Sequence, residues 1–142
     1  MTPVSTSMTI AAPPERVWEV LTDFAAYPEW NPFMTSVTGS LGVGKRLSVR
    51  IHPPGGKPMG FKPTILVVKP FQELRWLGRL IVPGLFDGEH YFRLAPTVDG
   101  TMLDHGENFS GLIVKLAASS MLKQTEQGFI AMNRALKHRA EH

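Results

Sequence analysis

Apolar and polar residues alternate strictly at the start of the chain. Val4, Thr6, Met8 and Ile10 alternate with Ser5, Ser7 and Thr9, the pattern of a half-buried strand. Ala11-Ala12-Pro13-Pro14 ends it, and Pro14 followed by Glu15 suits a first helical turn. Val17, Trp18, Val20 and Leu21 then mark one face of a short helix. In Tyr27-Pro28-Glu29-Trp30-Asn31-Pro32-Phe33 the prolines forbid a long helix, so a single turn or an ordered loop is predicted. Leu47, Val49 and Ile51 alternate with Arg46, Ser48, Arg50 and His52, and Pro53-Pro54-Gly55-Gly56 turns the chain. Further strands are predicted at 61–69, ended by Pro70, around Leu74 and Trp76, at 89–94, and at 101–110 after an Asp99-Gly100 hairpin turn.

After Gly111 the punctuation stops, with no proline through to His142. Val114, Ala118, Met121, Leu122, Thr125, Phe129, Met132 and Leu136 recur at three- and four-residue steps, while Lys115, Lys123, Glu126, Asn133 and Lys137 fall mostly on the other side. This predicts one long amphipathic helix over about 112–138. Gly128 in its interior costs about 1 kcal/mol against alanine, which points to close packing or a bend there. The order is strand, short helices, about six antiparallel strands, then a long helix. A curved antiparallel sheet folded around that helix buries the apolar stripe most economically.

Two strands break the pattern. His90 shares a face with Phe92 and Leu94, and His105 and Glu107 share one with Leu103 and Phe109, because side chains alternate with period two. Ionisable groups on a core face must be paired, hydrogen-bonded or wet. Either the core holds a polar knot or it is hollow and the knot lines a pocket. If the two strands form a hairpin, His90 lies across from His105, Glu107 or Phe109, with Trp76 beside His90 or Phe92.

Composition narrows the setting. A chain of 142 residues with 43% hydrophobic and 19% charged content fits one domain with one core, spanning 1–142. Nothing is long and apolar enough to cross a membrane, and the N-terminus lacks a signal-peptide pattern. The absence of cysteine excludes disulfides, thiol catalysis and cysteine-based zinc sites, and a cytoplasmic location is expected. The net charge of +3 comes from scattered basic residues, not a nucleic-acid patch. Gly39-Ser40-Leu41-Gly42-Val43-Gly44-Lys45 begins like a phosphate-binding loop, but Arg46 stands where a serine or threonine should bind magnesium, and a strand follows instead of a helix. It is predicted to be a glycine-rich hairpin turn.

The segment 12–24, then Tyr27-Pro28-Glu29-Trp30-Asn31-Pro32-Phe33, Leu74-Arg75-Trp76, His90-Tyr91-Phe92-Arg93-Leu94 and Glu107-Asn108-Phe109-Ser110-Gly111, resembles the START-like superfamily in its polyketide cyclase/dehydrase (SRPBCC) branch. The resemblance covers nearly the whole chain. It implies an α+β helix-grip fold: a curved antiparallel sheet of about seven strands around a long C-terminal helix, with two short helices after the first strand and an apolar cavity between sheet and helix. Members bind lipids or hormones or cyclise polyketides, and no universal catalytic residue carries over.

The resulting expectation is a small, mostly apolar ligand, lipid- or polyketide-like. Trp76, His90, Phe92, His105, Glu107, Phe109, Phe129, Met132 and Trp30 are the pocket candidates. The alternative is a cofactor-independent cyclase or dehydratase in which Glu107 and His105 or His90 form an acid–base pair, since a carboxylate beside a histidine can orient it and raise its pKa. A protein-interaction module is a further alternative. The same three residues could be metal ligands, but their spacing matches no local metal motif, so neither metal nor cofactor is expected. Tyr27, Trp30 and Phe33 suit either a lid or packing on the sheet rim. Met121, Phe129 and Met132 suit either a cavity wall or plain core. Arg75 and Arg79 are expected on a solvated outer face. The pattern leaves monomer and dimer equally open.

Overall fold

The computed structural model describes residues 2–80, 86–111 and 119–142. Strand β1 (Thr2–Ile10) leads into helix α1 (Pro14–Thr22), a 3-10 turn (Phe24–Ala26) and the short helix α2 (Tyr27–Trp30). Strands β2 (Met34–Thr38), β3 (Ser48–Ile51), β4 (Met59–Phe61), β5 (Thr64–Lys69), β6 (Glu73–Leu80), β7 (Phe86–Thr97) and β8 (Gly100–Ser110) follow, then helix α3 (Ser119–Glu141). The fold is α+β helix-grip, as the residue pattern and the resemblance lead one to expect. The strand count differs: five strands pair in the order β1-β8-β7-β6-β5 and three in the order β2-β3-β4, all antiparallel.

The difference has local causes. The predicted strand 61–69 is two strands, because Pro63 has no N–H to pair with a neighbour. Its carbonyl instead accepts from Leu47 N–H at 2.9 Å, and Ile65 N–H donates to the Lys45 carbonyl at 2.9 Å, stitching the two sheets together. Strand β2 lacks a clear alternation, so the sequence pattern marks no strand there. The segment 39–45 does lie in the β2–β3 connection, with Gly39 and Gly44 at positive φ. The last hairpin turns at Val98-Asp99, one residue earlier than predicted, with Thr97 and Gly100 as the closing pair.

Helix α3 runs on to Glu141, past the predicted end at 138; its predicted start at 112–118 lies outside the described residues. Phe129, Met132, Leu136 and Ala140 are buried against the sheet. A Cβ on Gly128 would lie 2.4 Å from the Phe33 ring, so this glycine provides close packing rather than a bend for its own sake. Asn133 is also buried, contrary to its predicted outward position: four residues after Phe129 it returns to the inner face. The C-terminal end of α3 is tied to α1, where Arg16 donates to the Arg139 and Ala140 carbonyls, the groups a helix terminus leaves unpaired.

The concave face is organised in rows across the strands. Gly78, Gly88 and Phe109 form one row; Trp76, His90, Glu107 and Val4 the next; Leu74, Phe92, His105 and Thr6 a third. Phe129 and Met132 of α3 are packed in the core with the third row and with Leu103, while the glycine row carries no side chain on β6 and β7. On the outer face of β6, Arg79 is exposed as predicted, while Arg75 is half-buried. Arg75 is paired with Glu73 and Glu89 at 3.0 Å, and Arg75 and Arg93 both lie over the Tyr91 ring.

Candidate functional site

The row register places His90 opposite Glu107, one of the three partners that a hairpin allowed. Their side chains meet at His90 Nδ1···Glu107 Oε1, 3.2 Å. From there a hydrogen-bonded chain runs inward. His90 Nε2 meets His105 Nε2 at 2.8 Å, His105 Nδ1 meets Asn133 Oδ1 at 2.7 Å, Asn133 Nδ2 donates to Thr6 Oγ1 at 2.9 Å, and Thr6 Oγ1 donates to the His105 carbonyl at 2.7 Å. The chain thus joins β7, β8, α3 and β1.

Aromatic rings wall it in. Trp76 stacks on His90 at 5.2 Å, and His105 is sandwiched between Phe92 at 4.4 Å and Phe129 at 4.3 Å. Removing water from both imidazoles favours their neutral forms. Burial pulls His90 down to about 3. His105 is also held well below the ordinary histidine value, by burial first and by His90 second, against the opposing effect of its Nδ1 hydrogen bond to Asn133 Oδ1. Burial pushes the Glu107 carboxyl up to about 8, although its side chain keeps 15% of its surface exposed. Burial thus favours an uncharged carboxylic acid beside an uncharged imidazole.

A cavity of about 290 Å³ opens beside this pair. His90, Glu107 and Phe109 border it, with Gly78 and Gly88 on the same floor. The three-stranded sheet and its approach give Phe33, Met34, Ile51, Met59 and Phe61, and α3 gives Met121, Gln124 and Thr125. Trp76, Phe92, His105, Phe129 and Met132 are each fully buried and do not border it; they fill the adjoining part of the concave face, and the first four pack their rings against His90. Trp30 packs on Tyr27 at 5.1 Å away from the cavity, and the buried Tyr27 hydroxyl donates to the Leu21 carbonyl. Of the three aromatics suited to a lid, only Phe33 reaches the wall.

Sequence reasoning missed the wall from β2, β3 and β4: β2 and β4 carry too little periodicity to assign a face, and the alternation of β3 gives its inner face without showing which residues of the other sheet lie across from it. It also missed Asn133 and the glycine floor. A signal for Asn133 was present in its four-residue spacing from Phe129. Gly88 is needed by Glu107: a Cβ there would lie 2.1 Å from Oε2 and 3.0 Å from Cδ. Gly88→Ala is expected to push the carboxyl off His90 and to cost about 1–3 kcal/mol in urea unfolding. An unchanged midpoint, with unchanged His90 ring nitrogen shifts by NMR, would count against this fit.

The two Nε2 atoms share a hydrogen bond at 2.8 Å, whereas tetrahedral zinc would hold two nitrogens about 3.3 Å apart with the ion between them. Among the described residues no group of three acidic or histidine side chains is placed to hold a metal, and no helix is long and apolar enough to cross a membrane.

A helix-gripped apolar cavity with a polar pair on its wall can now be set beside known proteins. The family profile described as polyketide cyclase / dehydrase and lipid transport matches residues 1–141. The chain belongs to this family. As a polyketide cyclase/dehydrase family member it also falls within the START-like (SRPBCC) superfamily, in agreement with the resemblance of its motifs. Its fold is similar to that of the ZhuI aromatase/cyclase from Streptomyces sp. R1128, with a TM-score of 0.80 and 18% identity over 99% of this chain and 93% of that one. It is similar to protein MLL2253 from Mesorhizobium loti, with a TM-score of 0.76 and 21% identity over 97% and 96% of the two chains. It is similar also to Ara h 8.0201, with a TM-score of 0.75 and 12% identity over 98% and 97%. At these identities the likeness is one of fold. None of the curated proteins matches the sequence.

Proposed function

We propose that this family member binds a small, mostly apolar molecule in the cavity between sheet and helix α3. The observation that carries this reading is an apolar cavity of about 290 Å³ with one buried polar pair, His90 and Glu107, on its wall. Such a cavity lies near the lower end of the ~300–1,000 Å³ typical of ligand pockets, and a few placed polar groups in an apolar lining are what fix a ligand's orientation. The size favours a fused-ring or short-chain ligand over a long lipid. It also favours a ligand over a protein partner, since the lining faces inward.

A thermal-shift panel of fatty acids, sterols, flavonoids and aromatic polyketides tests the reading. A ligand at 100 times its Kd is expected to add about 2.7 kcal/mol of stability. Thr125→Phe, which places a ring in the cavity, is expected to fold and to abolish the shift. No shift from any class, or equal shifts with and without the block, would remove the cavity as the binding site.

A second reading is supported by the same pair. In a cyclase or dehydratase of the polyketide type, Glu107 Oε2 would take a proton from the substrate while Oε1 passed its own to His90 Nδ1. Atoms and charge balance, but the product is a buried imidazolium, and burial of His90 disfavours that form. The pair is better set to orient a ligand than to hold a proton on His90, which places binding ahead of catalysis. Turnover of an aromatic polyketide, lost in Glu107→Gln while binding persists, would reverse that order.

A further inference from the structure

The direction of each hydrogen bond in the buried chain can be fixed from one end. Thr6 Oγ1 gives its only proton to the His105 carbonyl at 2.7 Å, so towards Asn133 it can only accept. Asn133 therefore turns its Nδ2 to Thr6 and its Oδ1 to His105. An amide oxygen cannot donate, so His105 carries its proton on Nδ1 and leaves Nε2 bare. His90 must then donate from Nε2 across the 2.8 Å contact, which leaves its Nδ1 bare in the neutral ring. That bare nitrogen faces Glu107 Oε1 at 3.2 Å, so the proton of this contact lies between them. Whether it rests on oxygen or nitrogen, the second oxygen, Oε2, has only lone pairs to offer.

Oε2 is the atom that overhangs Gly88, in the space a side chain there would occupy, and both residues border the cavity. The other hydroxyl on this wall, Thr125 Oγ1, donates its proton to the Met121 carbonyl at 3.0 Å and likewise shows the cavity lone pairs. Gln124 lies by the Gly55-Gly56 turn, and no lysine or arginine borders the cavity among the described residues. The inner polar point is thus an acceptor with no cation beside it. A carboxylate or phosphate head would face lone pairs without a counter-charge, and an ether or ketone would leave Oε2 unpaired.

We propose that the cavity selects neutral apolar ligands that carry a hydroxyl donor, a phenol or an alcohol, and holds that hydroxyl on Glu107 Oε2. This rests on the ligand-binding reading and adds the sign of the polar contact.

Calorimetric titration of a matched set tests it: 2-naphthol, 2-methoxynaphthalene and 2-naphthoate at pH 6.5. The naphthol is expected to bind about tenfold tighter, or more, than either of the others. Glu107→Leu is expected to bring the naphthol-to-ether ratio close to one. Glu107→Gln is expected to restore the preference, because its amide N–H can serve His90 Nδ1 and its carbonyl then faces the cavity as Oε2 does. A methyl ether or carboxylate that binds as tightly as the naphthol overturns the donor rule and leaves the cavity reading standing. Should Glu107→Leu fail to fold, the wild-type ratio still decides. Binding of all three that persists equally in Thr125→Phe places them outside the cavity; that result, or no binding by any, overturns both readings.

Discussion

Exchanging His105 for phenylalanine is expected to lower the unfolding free energy by about 2–5 kcal/mol, although the ring is kept. The aromatic sandwich with Phe92 and Phe129, at 4.4 and 4.3 Å, accepts a phenyl ring as readily as an imidazole. The loss is polar. Asn133 Oδ1 and the His90 Nε2–H both lose their partners in a fully buried place, and each orphaned group costs about 1–3 kcal/mol. Asn133→Leu acts from the other side by stranding the His105 Nδ1–H. In the double variant neither residue waits for the other, so its cost is expected to fall below the sum of the single costs by about 1 kcal/mol or more. Urea unfolding at an unchanged slope gives the comparison. A His105→Phe variant as stable as the wild type, or strictly additive costs, would show that these contacts do not act as one chain. There is a functional corollary. Without His105 the proton on His90 is no longer confined to Nε2. It can move to Nδ1, and Glu107 is then free to ionise beside it.

That chain also shows how far the sequence could be read. Period two placed His90, His105 and Glu107 on core faces, and hairpin pairing narrowed the partner of His90 to three residues, of which Glu107 lies directly opposite and His105 also meets its ring. Local pattern was enough because each of those strands is long and regularly alternating. Asn133 reads as outward by its polarity, like its charged neighbours, although its four-residue spacing from Phe129 carries it to the inner face, where His105 is its partner. The cavity itself was implied only by the resemblance. A hollow is made by side chains that are missing, here at Gly78 and Gly88, which pair directly across β6 and β7. Isolated glycines in strands read as weak points, not as a floor. Trp76, Phe92, Phe129 and Met132 have the period of a cavity wall and of a packed core alike, and only the position of α3 separates the two. Phe71 at φ 69° was out of reach for a different reason. It occupies a turn position where glycine is usual, and its ring rests on Trp18 at 6.5 Å, a contact between distant parts of the chain.

The pH dependence of stability is expected to peak near pH 6.5 and to fall on both sides by about 1.4 kcal/mol per unit, and the same neutral pair is the reason. Glu107 goes from 4.5 unfolded to about 8 folded. Its contribution is complete below 4.5 and is lost as pH rises through 8, because the unfolded chain releases this proton first. His90 goes the other way, from 6.5 to about 3, and His105 is shifted in the same direction. Their contributions are complete above 6.5 and are lost as pH falls, because the unfolded chain takes up protons that the folded one refuses. Between 6.5 and 8 only Glu107 changes the balance, so stability declines towards alkali. Between 6.5 and 4.5 the two histidines favour the unfolded state by two protons while Glu107 favours the folded state by one, so stability declines towards acid by the difference. Below 4.5 Glu107 no longer compensates and the fall steepens. Glu141, held below its ordinary value by Lys137 and the Ala11 N–H, adds to the acid side there. Glu107→Gln separates the contributions: the profile is expected to flatten from 6.5 to 8 and to steepen between 4.5 and 6.5, where the two histidines then act unopposed. Urea midpoints measured from pH 4 to 9 decide the matter. A wild-type profile that does not fall from 6.5 to 8, and is matched there by Glu107→Gln, would mean that the folded pair holds no proton, with Glu107 ionised beside a neutral His90, and would overturn the shared proton between Oε1 and Nδ1.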